Sequence, residues 1–313
     1  MKHQYRACNL RSATMAVIEQ ANEIITEYMA DGYELTVRQL YYQFVARDMF
    51  PEDRRWTWTG RRWVKDPNGT KNADPNYKWL GGLINDGRLV GVVDWNSIVD
   101  RTRHVVRNTH WDNPSQILQS AANGYSIDTR RDQPTYIEVW VEKGSLAGIL
   151  ERACEPMDIP YFCCKGNVSQ SAMWRASRRI ISQDNDKVVV LYLGDHDPSG
   201  MDMSRDVQDR LDLFNADVHV DRIALNLDQI KKLNPPPSPA KVTDSRYAAY
   251  VEEFGDDSWE LDALDPRTIN ELITKEANAL TDTKKRRALI KEQESQREKL
   301  QTIADRYDYL EIE

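Results

Sequence analysis

Residues 188–193, VVVLYL, form an unbroken apolar run with no polar face. A strand of that kind must be covered on both sides, and a parallel sheet sandwiched between helices does this. The flanking sequence repeats the pattern. Residues 136–141, 159–164 and 218–225 read as further strands. Between them Leu146, Ile149, Leu150 and Ala153 mark one helical face. Residues 169–182 give a second helix, and Met203, Val207, Leu211 and Phe214 a third. This alternation predicts an α/β fold for the second half of the chain.

The first half reads differently. Ile18, Ala21, Ile25 and Met29 form a helical stripe within residues 14–30, stopped by Gly32. Thr36 is the expected N-cap of a second helix, whose face is Val37, Leu40, Tyr41, Phe44 and Val45. Residues 51–76 read as a polar, basic loop carrying tryptophans, 77–85 as a third helix, Asp86-Gly87 as a turn and 89–95 as a strand. Helices followed by a turn and a short strand predict a winged helix-turn-helix. Residues 111–134 read as a linker. The expected domains are therefore 1–131, a winged-helix DNA-binding unit, and 132–313, the α/β unit. After the sheet come a proline-rich hinge at 234–239 and a charged helical segment at 267–307, which includes Lys284-Lys285-Arg286-Arg287.

Charge separates along the same boundary. The net charge is −8, yet residues 1–131 carry 18 Lys+Arg against 15 Asp+Glu, and the remainder 24 against 35. A mildly basic front half suits phosphates; an acidic back half repels them unless cations intervene. No apolar run is long enough to span a bilayer, and residues 1–10 lack the stretch of a secretory signal. The four cysteines, Cys8, Cys154, Cys163 and Cys164, fit neither a zinc site nor a disulfide framework. A cytoplasmic, DNA-associated protein with reduced thiols is the expectation.

In an open parallel sheet, ligands bind beyond the carboxyl ends of the strands. Glu142 follows the first strand of the sheet, and Gly194-Asp195-His196-Asp197 follows the run at 188–193. Three carboxylates delivered to one edge repel each other, and a hard divalent cation with oxygen ligands relieves them. Mg²⁺ is the expected ion, with Mn²⁺ as the alternative. An aspartate before a helix is commonly only a cap, so Asp197 alone is weak evidence. His196, between the two aspartates, is expected to face away from them.

These motifs carry a resemblance. "VEKGSLAGIL", a glycine after the second strand and "LYLGDHDPSGMD" look like the Toprim domain of topoisomerases, primases and some nucleases, over residues 134–225. The resemblance implies Mg²⁺ on Glu142, Asp195 and Asp197. The segment "TVRQLYY" upstream resembles the A subunit of topoisomerase VI and the related meiotic double-strand-break transesterases, extending the likeness to residues 13–225. In that family the second tyrosine of the pair is the nucleophile, which falls on Tyr42. On a helical wheel Tyr42 lies about 100° from the core stripe, beside Arg38 one turn earlier, and so is expected to be exposed. The resemblance implies a type IIB topoisomerase-like enzyme, with Tyr42, Arg38 and Glu142 as the catalytic set and a phosphotyrosyl-DNA intermediate. It also implies a homodimer, in which one copy's tyrosine meets the other's metal, and a separate GHKL-type ATPase B subunit.

Two other readings stand beside this one. A Toprim nuclease would hydrolyse DNA with water and leave the tyrosine unused, and a non-catalytic module would only bind DNA or assemble. Double-stranded DNA is the expected partner, held by Arg54, Arg55, Arg61, Arg62 and Lys65 among Trp56, Trp58 and Trp63, by Lys78 on the third helix, and by Arg101, Arg103 and Arg107. Arg175, Arg178 and Arg179 read as a solvated helix face. Glu260 and Asp262 in "SWELDAL" are a further acidic pair that offers a carboxylate near the metal.

Overall fold

The computed structural model describes residues 2–7, 9–98, 108–164, 166 and 168–307. Its front unit is helical. α1 (Ser12–Ala30) and α2 (Val37–Ala46) form as the periodicity predicts. Thr36 and Gln39 close a capping box at the start of α2, with the Gln39 side chain accepting from the Thr36 N–H at 2.8 Å. The expected loop at 51–76 contains a hairpin, β1 (Trp56–Trp58) against β2 (Trp63–Lys65). α3 (Asp74–Leu89) runs straight through Asp86-Gly87, where a turn was expected. Gly87 is buried in the helix with Val93 and Ile18 packed on it, and a β-carbon there would stand 2.7 Å from Val93 Cγ2. Residues 89–95 therefore form no wing strand; Val90 makes a single bridge to Gln4. α1, α2 and α3 share one core with Tyr28, Leu40, Phe44, Leu80 and Ile84 at its centre.

The expected linker carries α4 (Pro114–Gly124), capped by Asn113. The α/β unit begins at β3 (Thr135–Val141). It continues through α5 (Ala147–Cys154), β4 (Tyr161–Cys163), α6 (Gln170–Ile181), β5 (Lys187–Leu193), α7 (Pro198–Leu213) and β6 (His219–Ala224). All four strands are parallel, in the order β4-β3-β5-β6. One face of the sheet, with Ile137, Val139, Leu191 and Leu193, packs on α5 and on Ile269, Ile273 and Ala277. The other, with Trp140, Val190 and Tyr192, packs on Met173 and Ala176 of α6 and Met203 and Val207 of α7. The apolar run is covered on both sides, as its composition requires.

α8 (Leu227–Leu233) follows. Beyond it the hinge residues form β7 (Ser238–Pro239), and after α9 (Tyr247–Phe254) this pairs with β8 (Asp257–Ser258). The charged segment is two helices, α10 (Pro266–Ala279) and α11 (Thr283–Arg306), interrupted where Asp282 accepts from the N–H groups of Lys284 and Lys285. α11 packs along α4. The Tyr125 carbonyl accepts from Arg297 at 2.6 Å. Cys154 and Cys164 are buried free thiols. No helix among the described residues is long and apolar enough to cross a membrane.

Candidate metal centre and the tyrosine beside it

The strand order reverses direction between β3 and β5. β3 leads by way of α5 to β4 on one side, and β5 leads by way of α7 to β6 on the other. A crevice opens at such a switch point, and both acidic segments enter it. Val141 and Leu193 are paired at the ends of the two strands. Glu142 comes next, and its Oε2 accepts from the Asp195 N–H at 3.0 Å. The turn is tight. A β-carbon on Gly200 would stand 2.3 Å from the Asp195 carbonyl, and one on either Gly194 or Gly200 would stand 3.1 Å from Glu142 Oε2. Arg222 of β6 locks the turn from below, donating to the carbonyls of Asp195 (2.6 Å), Gly200 (2.9 Å) and Gly194 (3.1 Å).

Asp195 is almost wholly buried. Its Oδ1 accepts from the Leu261 N–H at 2.8 Å and its Oδ2 faces Lys143 Nζ at 2.7 Å. Asp197 caps α7, with Oδ1 accepting from the Gly200 N–H at 2.6 Å, while its Oδ2 lies 3.9 Å from Lys241 Nζ. Burial raises the Glu142 and Asp195 carboxyls above the usual carboxylate range, and the charges of Asp197 on Glu142 and of Glu142 on Asp195 add to this. Glu142 Oε2, both Asp195 oxygens and Asp197 Oδ1 each face a protein donor, and their crowding on two glycines is the kind of repulsion a hard divalent cation would relieve. Among the described residues, however, no three His, Cys, Asp or Glu side chains already converge as a metal cage. The local positive charge comes from Lys143, with Arg222 under the turn and Lys241 at the rim.

Lys143 escaped the sequence reading. Its ammonium also lies 2.9 Å from Glu260 and 3.5 Å from Asp262. Burial opposes its charge, but the Asp195, Glu260 and Asp262 carboxylates outweigh it and hold the ammonium above the usual lysine range. Glu260 is held down at about 2, because Lys143 and Arg38 outweigh its burial. Asp262 accepts from Ser145 Oγ at 3.0 Å. Glu260 and Asp262, the further acidic pair of the sequence, thus stand in the same cluster. The Lys143 position was in plain view after Glu142, but nothing local brings residues 260–262 to it.

Arg38 ties this cluster to the front helices, pairing with Glu260 through Nε (3.2 Å) and through a shorter NH2 contact. Tyr42 departs from expectation: it is 3% exposed and belongs to the front core. Its wheel angle lies about 100° from the stripe of Val37, Leu40, Tyr41, Phe44 and Val45. Yet Tyr41 packs at 5.1 Å on one side of it, and the hairpin and residues 238–243 stand over it around a cleft of about 500 Å³. Burial, reinforced by Glu260, raises its phenol above the usual range. Arg38 lies 5.9 Å from the Tyr42 ring centroid.

His196 faces away from the carboxylates, as expected. Its Nδ1 is 2.8 Å from the Tyr250 hydroxyl and its ring packs on Phe254 and Trp259. Burial, with help from Arg222, lowers its pKa to about 4.

The arginines expected on DNA divide. Arg54 stacks on Trp79 at 3.9 Å, Arg55 pairs with Glu52, and Lys78 pairs with Asp74. Lys65 sits 3.6 Å from Asp53. Arg61 and Arg62 are exposed at the hairpin turn. Arg101, Arg103 and Arg107 lie outside the described residues. Arg179, read as a solvated residue, instead grips the buried Glu138 of β3 at 2.7 and 2.8 Å.

Comparison with known families, with characterised proteins and with solved structures finds no match to this chain.

Proposed function

We propose that the chain is a Mg²⁺-dependent DNA-cleaving protein. In this reading the sheet is a Toprim domain, α1–α3 form a helical DNA-binding unit that has no wing strand at 89–95, and the metal sits on Glu142, Asp195 and Asp197. The observation that carries the reading is the meeting of Glu142 and Asp195, buried and self-repelling, at the switch point of a parallel sheet. A bound divalent cation would supply charge stabilisation at the phosphate and lower the pKa of water. The chain's own groups do the rest. Arg222 fixes the turn, Lys143 holds Asp195 and Glu260 in place, and Lys241 offers a positive contact at the rim.

Hydrolysis with water as the nucleophile is the first reading, because Tyr42 is buried and burial keeps its phenol protonated. Transesterification through Tyr42, as in a type IIB topoisomerase A subunit, is the second. One observation favours it: Tyr42 lines the cleft beside Arg38 and Glu260, which connect directly to Lys143 and Asp195.

The test is plasmid cleavage in Mg²⁺, quenched with denaturant. Cleavage lost to background in Asp195→Ala, kept in Tyr42→Phe, and free of covalent protein–DNA adduct is the expected result. An adduct that disappears in Tyr42→Phe would establish transesterification. Wild-type-like cleavage in Asp195→Ala would overturn the metal reading. Sedimentation of the protein with DNA reports whether two copies assemble, as cutting both strands by the family's route requires.

A further inference from the structure

The cleft over Tyr42 belongs to no step of the hydrolytic reading, yet it is built. Its volume, about 500 Å³, is that of a small-ligand pocket. Its walls are aromatic: Tyr42 and Tyr77 from the front helices, Trp58 and Trp63 from the hairpin. The hairpin strands are three residues each, too short to hold a core of their own. Even so they present two tryptophans 5.5 Å apart, and Trp58 is left 40% exposed. An exposed Trp58 beside a half-buried Trp63 on a minimal hairpin leaves indole surface open to a flat partner.

The polar groups point to what that partner is. Arg38 lies over the Tyr42 and Tyr77 rings at 5.9 and 5.6 Å, but it pairs with Glu260, which lines the cleft along with Asp74, so the floor is aromatic with its charge balanced and Lys241 brings the cation at the rim. Lys241 lines the cleft and also reaches to 3.9 Å from Asp197 at the carboxylates. One lysine therefore spans from the aromatic chamber to the acidic cluster. Arg61 and Arg62 stand exposed at the hairpin turn, next to Gly60 of the cleft wall. A π-face inside, cations at the exit and an acidic cluster beyond suit a nucleotide: the base stacks within and the phosphate passes the lysine.

We infer that the Tyr42–Trp58–Trp63–Tyr77 cleft holds one unstacked nucleobase of a DNA strand, and that Lys241 leads the adjoining phosphate toward Glu142 and Asp195. The inference rests on reading the carboxylates as a phosphodiester-cleaving centre. The preferred substrate is then single-stranded DNA, or a duplex with an unpaired base, because extracting a paired base costs stacking and pairing energy. Stacking tolerates any base, so the cleft selects for exposure of a base over its identity.

Binding is measured in EDTA, where no metal-dependent turnover contributes, by anisotropy of labelled oligonucleotides. Trp58→Ala and Trp63→Ala each weaken single-strand binding roughly 5- to 100-fold, the loss of one base stack. Trp63→Phe recovers most of that loss, and binding of a fully paired duplex changes little. Unchanged single-strand affinity in folded Trp→Ala variants, or equal losses on both DNAs, overturns the inference. A second measurement uses the wild-type chain and needs no variant to fold. A single-stranded oligonucleotide carrying 5-iodouracil is photo-crosslinked in EDTA and the adduct mapped by mass spectrometry. Adducts on residues 56–65 or Tyr77 support the cleft, and adducts confined to other segments overturn it. Cleavage activity is scored separately in Mg²⁺. Cleft adducts without cleavage would sink the nuclease reading and leave the cleft; cleavage with adducts elsewhere would do the reverse.

Discussion

Lys143 sets one ammonium against three carboxylates, and this makes it the residue whose removal reports most about the site. Lys143→Met leaves Asp195, Glu260 and Asp262 short of a counter-charge. Breaking a fully buried pair costs about 3–5 kcal/mol; with the lysine side chain 26% exposed, a loss of about 2–4 kcal/mol is expected in EDTA. The same change frees Asp195 Oδ2, so Mn²⁺ should bind more tightly and restore more stability to the variant than to the wild type. Calorimetric titration and melting with and without Mn²⁺ check this, and weaker Mn²⁺ binding in a folded variant would mean the ammonium assists the metal. Glu138 gives a comparison far from the chemistry. It accepts from Arg179, from Tyr136 Oη at 2.9 Å and from Trp140 Nε1 at 2.8 Å, and is 1% exposed. Glu138→Ala strands these donors and should cost about 2–3 kcal/mol by urea denaturation, while Glu138→Gln, which keeps an acceptor, should cost less.

At the scale of elements, the turn from β5 into α7 is where sequence and packing meet most tightly. Gly200→Ala pushes a methyl into the Asp195 carbonyl at 2.3 Å, and a backbone atom cannot step aside as a side-chain tip does. The turn must open, which pulls Asp195 off Glu142. Cleavage should fall to background although the substituted residue carries no charge, with a stability loss of about 1–3 kcal/mol. An active, fully stable Gly200→Ala protein would mean the turn is looser than its geometry requires.

The strands of this region were legible because a run such as VVVLYL admits one environment, and Glu142 and Asp195 follow from where such strands end. Tyr42 was misread for a physical reason. A helical wheel reports which side of α2 meets its own neighbours, but it is blind to a hairpin and to residues 238–243 closing over the other side. The wing was misread because a glycine in a helix, accepted for close packing against Val93, looks in sequence like a turn. Glu260 and Lys143 were invisible as partners because 117 residues separate them and no periodicity links them.

Across the whole molecule the boundary drawn near residue 131 does not separate two independent bodies. Arg38 reaches Glu260, the Tyr28 hydroxyl donates to Asp265 at 2.7 Å, and Arg152 donates to the carbonyls of Asp31 and Gly32 at 2.6 and 2.7 Å. Ala263 is buried within the front core, and Asn72 donates to the Pro237 carbonyl at 2.6 Å. The segment 237–265 thus belongs to both units. It carries Lys241 at the rim, Leu261 on Asp195, and Glu260 between Lys143 and Arg38. Any cation that redistributes charge among the carboxylates must act on this segment, and through Arg38 on α2. Two consequences follow. Thermal unfolding should show one cooperative transition, because neither core is complete without residues 237–265. Adding Mn²⁺ should then slow amide exchange in α2 as well as in the β5–α7 turn, although α2 contributes no carboxylate to the proposed metal set. Hydrogen-exchange mass spectrometry reads both segments in one experiment. Protection confined to residues 142–145 and 194–200, with α2 unchanged, would mean that the Arg38–Glu260 link carries no coupling and that the two halves of the site respond separately.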